Sequence, residues 1–301
     1  MIISRAITPD TFFQNALPAL EEIYYSAMEE FPDMIQELAN YKGATGWGKQ
    51  TTEQSGVGIA ALIPEGASVF YDDIVQGNAK TFTFLKYGIG AKVTEEMIDD
   101  DQWDQVQDIY RSLGASVHHI RQQIFFDNFN NGFTTVGYDG VPLFSISHPL
   151  IKAGGVQANT PSVQVDLSVD SMRNALTTIA DWLTHEGLKT YFMPFCLLTS
   201  TTGIYDARVL VNADWRPGTA NNDPADIKTH YNITPKYSPY LTDSDAWFIG
   251  CKNHKLMFYD RKAPEMKNFE DFDAGALKTK VTTRFDTGYG SWYGWYGSSG
   301  A

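Results

Sequence analysis

Apolar residues along this chain repeat at two spacings, and each predicts a different element. Trp103, Val106, Ile109, Tyr110, Leu113, Val117, Ile120, Ile124 and Phe125 recur every three or four positions. That spacing predicts one amphipathic helix over residues 99–131. Asp99, Asp100, Asp101 and Asp104 stand at its start, where carboxylates suit the helix dipole, and Asn131-Gly132 supplies a stop. About thirty residues at ~1.5 Å each make a rod of roughly 45 Å. A second helix is predicted over 168–186, with Val169, Met172, Leu176, Ile179 and Leu183 on one face. Asp166 or Ser168 is its N-cap and Gly187 its end. Thr8-Pro9-Asp10 reads as another start, with Phe12, Phe13 and Leu17 on the apolar side. Leu20, Ile23, Tyr24, Ala27 and Met28 then repeat at helical spacing until Phe31-Pro32 interrupts, so this part reads as an arm of short helices.

Period-two alternation appears at Ala79–Phe84 and again at Tyr87, Ile89 and Ala91. With a strand expected at Gly56–Ala60 and a turn at Pro64-Glu65-Gly66, residues 41–94 read as a two-stranded, glycine-punctuated arm. The arm carries Trp47, Val57, Ile59, Leu62, Ile63, Val69, Phe70, Tyr71, Ile74 and Val75, more apolar surface than its own chain can cover. A lone ribbon is marginal in water, and an exposed apolar edge invites pairing with other chains. The arm is therefore expected to lie on a neighbouring copy, with Trp47, Ile59, Ile63, Phe70 and Tyr71 as the candidate assembly interface. Short apolar strands follow at Phe195–Leu198 and Ala246–Gly250. Leu256–Tyr259 is expected to form a hairpin with the latter across Lys252-Asn253-His254, and Thr279–Phe285 is a last strand. Residues 137–161 and 212–226 read as loops, and the tail from Ser291 to Gly297 is rich in aromatics and glycine. The class is α+β.

Composition narrows the picture. The chain has 301 residues, 43 % of them apolar, enough for a substantial core. Its net charge of −13 opposes a direct grip on nucleic acid over most of its surface, without excluding a container wall, which need not adhere to its contents. Two cysteines, Cys196 and Cys251, sit in apolar surroundings and exclude a disulfide scaffold. No run approaches the ~20 apolar residues of a membrane span, and Met1-Ile2-Ile3-Ser4-Arg5 carries no signal-peptide pattern. A soluble protein of a reducing cytoplasm is expected.

Candidate chemistry is thin. Gly43-Ala44-Thr45-Gly46-Trp47-Gly48-Lys49 nearly matches a phosphate loop, but Gln50 stands where Ser or Thr should meet magnesium and poor helix material follows. The six histidines show no paired-ligand spacing. His148, beside Pro149, reads as a loop-ordering residue. Asp271, Asp273 and Gly275 match a calcium loop only in part, and there is no Gly-x-Ser-x-Gly elbow. No catalytic, cofactor-binding or metal-binding residue is expected.

The order of parts resembles the major capsid protein of tailed bacteriophages, the fold first described for phage HK97. Leu143-Phe144-Ser145, His148 and Asn159, with Leu167-Ser168 at the next helix and Trp247-Phe248-Ile249 in a late strand, are similar to the Mu-like major head subunit family. The resemblance implies an N-terminal arm at 1–40 and an extended loop with the start of the peripheral domain at 41–94. It further implies a peripheral domain with a spine helix at 95–189, an axial domain at 190–265 and a return to the peripheral domain at 266–301. It implies hexamers and pentamers of an icosahedral shell enclosing double-stranded DNA without sequence-specific binding, assembled in a bacterial cytoplasm. Scaffolding, portal and decoration proteins would be the partners, and no membrane is involved. A bacterial nanocompartment shell, another structural phage component such as a tail or decoration protein, and a hydrolase with an unrecognised site are the competing readings.

Overall fold

The computed structural model describes residues 9–94, 96–97, 100, 102–213, 226–271 and 275–301. Asp99, Asp101, Asp273 and nearly all of the 212–226 loop lie outside these. The elements are α1 (Pro9–Glu29), α2 (Met34–Leu38), β1 (Asn40–Gly43), β2 (Gly48–Gln54), β3 (Gln76–Thr83), β4 (Leu85–Thr94) and the spine α3 (Trp103–Asn130). They continue with β5 (His148–Pro149), β6 (Val156–Gln157), α4 (Val169–Asp181), β7 (Pro194–Thr199), α5 (Ile204–Asn212) and α6 (Asp226–His230). The chain closes with β8 (Thr234–Tyr237), β9 (Trp247–Cys251), β10 (Leu256–Asp271), β11 (Ala276–Tyr289) and β12 (Trp295–Ser298).

Two four-stranded sheets organise these elements: β1-β10-β11-β4 and β12-β9-β7-β8. The spine serves both. Its first half packs Val106, Tyr110, Leu113 and Val117 into a core shared with Leu20 and Tyr24 of α1 and with Val93, Leu277 and Val281 of the first sheet. Its last turns carry Phe125, Phe126 and Phe129 into the core of the second sheet, where Phe129 meets Phe248 and Trp295 with ring centroids 5.1 and 4.8 Å apart. Polar bonds fix it on the first sheet. The Tyr110 hydroxyl lies 2.6 Å from Thr279 Oγ1, and Arg121 pairs with Asp260 at 3.0 Å with both side chains nearly buried. Tyr41 donates to the same carboxylate at 2.6 Å, tying β1 into the pair. Losing one partner of such a buried pair costs about 3–5 kcal/mol, because the other charge is stranded. Gly114 allows α1 its close approach: a Cβ there would lie 2.5 Å from the Tyr24 carbonyl oxygen.

Several expectations are corrected. The N-terminal segment is one 21-residue helix followed by a five-residue one, with the break at Phe31-Pro32 as read. α4 begins at the expected Ser168, whose side chain forms a reciprocal box with Ser171, but it ends at Asp181 rather than near Gly187. Gly187 instead supplies the positive φ of +86° in the turn that follows. Leu256–Tyr259 does not pair with Ala246–Gly250. Lys252-Asn253-His254 carries the chain from one sheet to the other, where β10 pairs with β1 and β11. Residue 265 lies within β10, and the tail pairs Trp295–Ser298 with β9 of the second sheet.

Candidate assembly surface

The ribbon within 41–94 is built from β2 and β3, paired from Gly48↔Thr83 to Gln54↔Gln76. The strand expected at Gly56–Ala60 does not form. Residues 55–75 run as an open loop, closed at its neck by Ser55 N–H donating to the Val75 carbonyl (2.9 Å) and Val75 N–H to Ser55 Oγ (2.8 Å). The turn at Pro64-Glu65-Gly66 is present, with Ala67 N–H on the Pro64 carbonyl and Gly66 at φ +81°. The ribbon's root belongs to the body, since Phe82 and Phe84 are buried against Met257 and Tyr259.

The large apolar side chains of the loop face water, as does Trp47 at the root. Trp47 is 78 % exposed, Ile59 81 %, Phe70 76 % and Tyr71 88 %, with Ile63 at 44 %. All five candidate interface residues therefore lack cover in the single chain, and Val57, Leu62, Val69, Ile74 and Val75 are exposed beside them.

A shelf on the body holds the ribbon beneath this loop. Glu53 accepts from the Tyr138 hydroxyl at 3.0 Å and lies 3.1 Å from His185 Nε2. Lys152 Nζ reaches Asp72 Oδ2 at 2.6 Å and the Asp73 carbonyl at 2.9 Å. Asp72 also accepts from Gly58 N–H at 2.7 Å, so one carboxylate clips both limbs of the loop to the shelf. Gly77 lets Ile151 pack close to the ribbon: a Cβ there would stand 2.3 Å from Ile151 Cδ1, so that side chain would have to shift. Nothing in the local sequence flagged Glu53, Lys152 or His185; their meeting is a product of the tertiary fold.

The Lys152 ammonium, and then Gly58 N–H, hold the Asp72 carboxyl below the usual carboxylate range. A lowered folded-state pKa gives a contribution that is complete above the ordinary Asp value and is lost as pH falls through the folded one. Acidification below about pH 4 is thus expected to loosen the loop before the body unfolds. Hydrogen exchange at Gly58 and Val75, followed against pH, checks this; protection unchanged down to global unfolding would refute it.

Of the residues that carried the resemblance, Leu143, Ser145, His148 and Asn159 meet in one knot. Asn159 Oδ1 accepts from Ser145 N–H at 2.9 Å, while its Nδ2 donates to the carbonyls of Leu143 (2.7 Å) and Trp295 (3.1 Å). His148 stacks on Trp292 with centroids 4.6 Å apart. Its Nδ1 lies 2.7 Å from Asp139 Oδ2, and its Nε2 faces the Leu143 carbonyl and Asn159 Oδ1. The stretch is a structural clasp between the 137–161 loop and the tail.

The Gly43–Lys49 segment joins β1 to β2, and Lys49 Nζ sits over the Tyr259 ring at 4.8 Å. Cys196 and Cys251 are buried free thiols, pushed up to about 12 by burial. His254 is pushed down to about 4 by burial, and its Nδ1 accepts from Leu256 N–H. Among the described residues no group of three His, Cys, Asp or Glu side chains could hold a metal ion, and no helix is long and apolar enough to cross a membrane. An apolar cavity of about 600 Å³ lies between α4, α5 and α6, lined by Leu176, Val209, Leu210 and Ile227 among others.

The model of a family described as phage capsid protein matches residues 78–298, well over half of the chain. The chain belongs to the phage capsid protein family. No curated protein matches it. Solved structures agree on the fold. A virus-like particle from Pyrococcus furiosus is 10 % identical with a TM-score of 0.56, over 93 % of this chain and 98 % of that one. Microbacterium phage Oxtober96 is 13 % identical at 0.54, over 100 % and 95 %. The procapsid of bacteriophage JBD30 is 14 % identical at 0.50, over 97 % and 76 %. This phage capsid protein has the HK97-like fold, with the ribbon and loop as its extended arm and α3 as its spine, and it is a protein of the head shell.

Proposed function

We propose that this chain is the major head protein of a tailed phage of the Mu-like kind, closing into the hexamers and pentamers of an icosahedral shell around double-stranded DNA. The observation that carries the reading is the loop at 55–75, apolar, exposed and braced from below on its own body. The first sheet with α1 and the spine would form the peripheral domain. The second sheet with α4 and α5 would form the axial domain, which moves the ends of the expected 190–265 and 266–301 segments to the sheet boundaries. Trp47, Ile59, Ile63, Phe70 and Tyr71 would be buried against a neighbour.

The energetics favour collective assembly. Five such side chains release about 7–15 kcal/mol on full burial, at ~1.5–3 kcal/mol each. Docking one protein on another costs about 4–15 kcal/mol in lost freedom. A single arm contact therefore nearly breaks even, and wrong registers dissociate, whereas a closed ring multiplies the surplus. Scaffolding, portal and decoration proteins are the partners this role calls for. The protein acts structurally rather than as a catalyst, is assembled in the host cytoplasm and resides in the virion.

A genome-free shell is the second reading, favoured by the fold shared with the Pyrococcus furiosus particle. Negative-stain microscopy beside sedimentation of the purified chain tests both. Particles tens of nanometres across are expected, and a sharp species at monomer or dimer mass would overturn the proposal. Nuclease-protected DNA within particles from infected cells separates a head from a genome-free compartment.

A further inference from the structure

The net charge of −13 conceals a segregated distribution. Along β11 the residues Thr279, Val281, Thr283 and Phe285 are buried toward the spine, so Lys278, Lys280, Thr282 and Arg284 face away from it. Strand register then sets their neighbours. Lys262, Arg284 and Lys86 form one row across three strands, and Phe269, Lys278 and Lys92 another. Lys267 and Lys280 stand side by side between them. Seven of the chain's 23 basic residues thus share one sheet face, with Glu265 as the acid inside the array and Asp271 at its rim, paired with Lys278.

Like charges directly opposite each other destabilise a sheet. Four such pairs occur here: Lys92↔Lys278, Lys267↔Lys280, Lys86↔Arg284 and Lys262↔Arg284. Glu265, paired with Lys262 and Lys267, and Asp271, paired with Lys278, offset part of this repulsion, and an anionic partner covering the face would relieve the rest.

Three features fit a polypeptide rather than a nucleic-acid duplex. β4 is an edge strand of its sheet and offers unpaired backbone groups. Gly88 and Gly90 carry no side chains on its outward face between Lys86 and Lys92. Phe269, 71 % exposed in the same array, wants an apolar partner. The chain itself contains a segment of matching character. From Gln50 to Ala79 there is no Lys or Arg, and the exposed carboxylates of Glu65 and Asp73 flank the exposed Val69, Phe70 and Tyr71.

We infer that this basic sheet face is the receiving surface for the arm of a second copy, with Glu65 and Asp73 setting the arm's register on the lysines. The inference rests on the assembly role proposed above and adds the surface that the arm meets. Contact between exposed charges weakens with salt, so shell formation by the full chain is expected to need more protein as salt rises from 0.1 to 1 M.

The deciding variant combines Lys86→Glu, Lys92→Glu and Lys280→Glu. Each change turns a like-charged cross-strand pair into an opposite one, so thermal stability should hold or rise. The protein concentration needed for shells should rise at least tenfold. Adding Glu65→Lys and Asp73→Lys should restore assembly. The milder Lys86→Gln, Lys92→Gln, Lys280→Gln set, with a flattened salt dependence, covers misfolding of the first. Shells from the charge-reversed triple at the wild-type concentration would overturn the inference, as would loss of packaged DNA with assembly intact, which points to nucleic acid. Failure of the arm changes to rescue would remove the arm as the occupant. A wild-type chain that forms no shells sinks the proposed function instead.

Discussion

Replacing residues 55–75 by Asn-Gly is expected to abolish shells and leave a folded, soluble chain. Gln54 and Gln76 are ladder partners, so a two-residue turn closes the shortened ribbon without strain. Among the removed residues Ser55 alone is buried, so the cores lose little. The body loses the Lys152–Asp72 clip, a partly exposed pair of small net worth. Circular dichroism should show a melting temperature within a few degrees of the parent, while sedimentation and microscopy show monomers or single capsomers and no closed particles. Normal shells from this variant would remove the loop from the assembly mechanism altogether.

The largest effect on stability is expected at Asn159. Its buried side chain satisfies Ser145 N–H and the Leu143 and Trp295 carbonyls at once, and it faces His148 Nε2. Asn159→Ala takes the acceptor from Ser145 N–H and a donor from the Leu143 and Trp295 carbonyls, of which only the Leu143 carbonyl still faces His148 Nε2. Each stranded group costs about 1–3 kcal/mol, part of which relaxation recovers. A loss of about 3–5 kcal/mol in denaturant unfolding is the expected result. Asn159→Asp should be no better, because a carboxylate cannot donate to the two carbonyls. A loss below about 1 kcal/mol for either variant would show that the clasp is dispensable.

The long periodic elements were legible from sequence, and the reasons are local. The spine announces itself through its repeating apolar face, and β11 through alternation reinforced by β-branched residues. What escaped reading depended on partners far along the chain. Gly56–Ala60 has a strand's apolar character, but no strand among the described residues pairs with it, whereas the polar Gly48–Gln54 gains a ladder from β3. Leu256–Tyr259 has a plausible hairpin partner nearby, yet β1 and β11 compete for it and win. The knot motif was recognisable as a pattern, but its cause lies in Trp295, more than a hundred residues away. The five candidate interface residues rest on a local imbalance between apolar content and available cover, a property one segment can report alone. The lysine array could not be found that way, since it exists only once three strands are set in register.

One rod seated in two sockets has a mechanical consequence. Val106 to Val117 grip one half of the subunit and Phe125 to Phe129 the other, each by interlocked side chains. Such a shaft can bow, yet it cannot spin in one socket without wrenching the rings out of place in the other. Torque applied at either end is therefore delivered to the far end. A lattice of these molecules would change its curvature at the seams between copies, with each copy turning as a single geared piece.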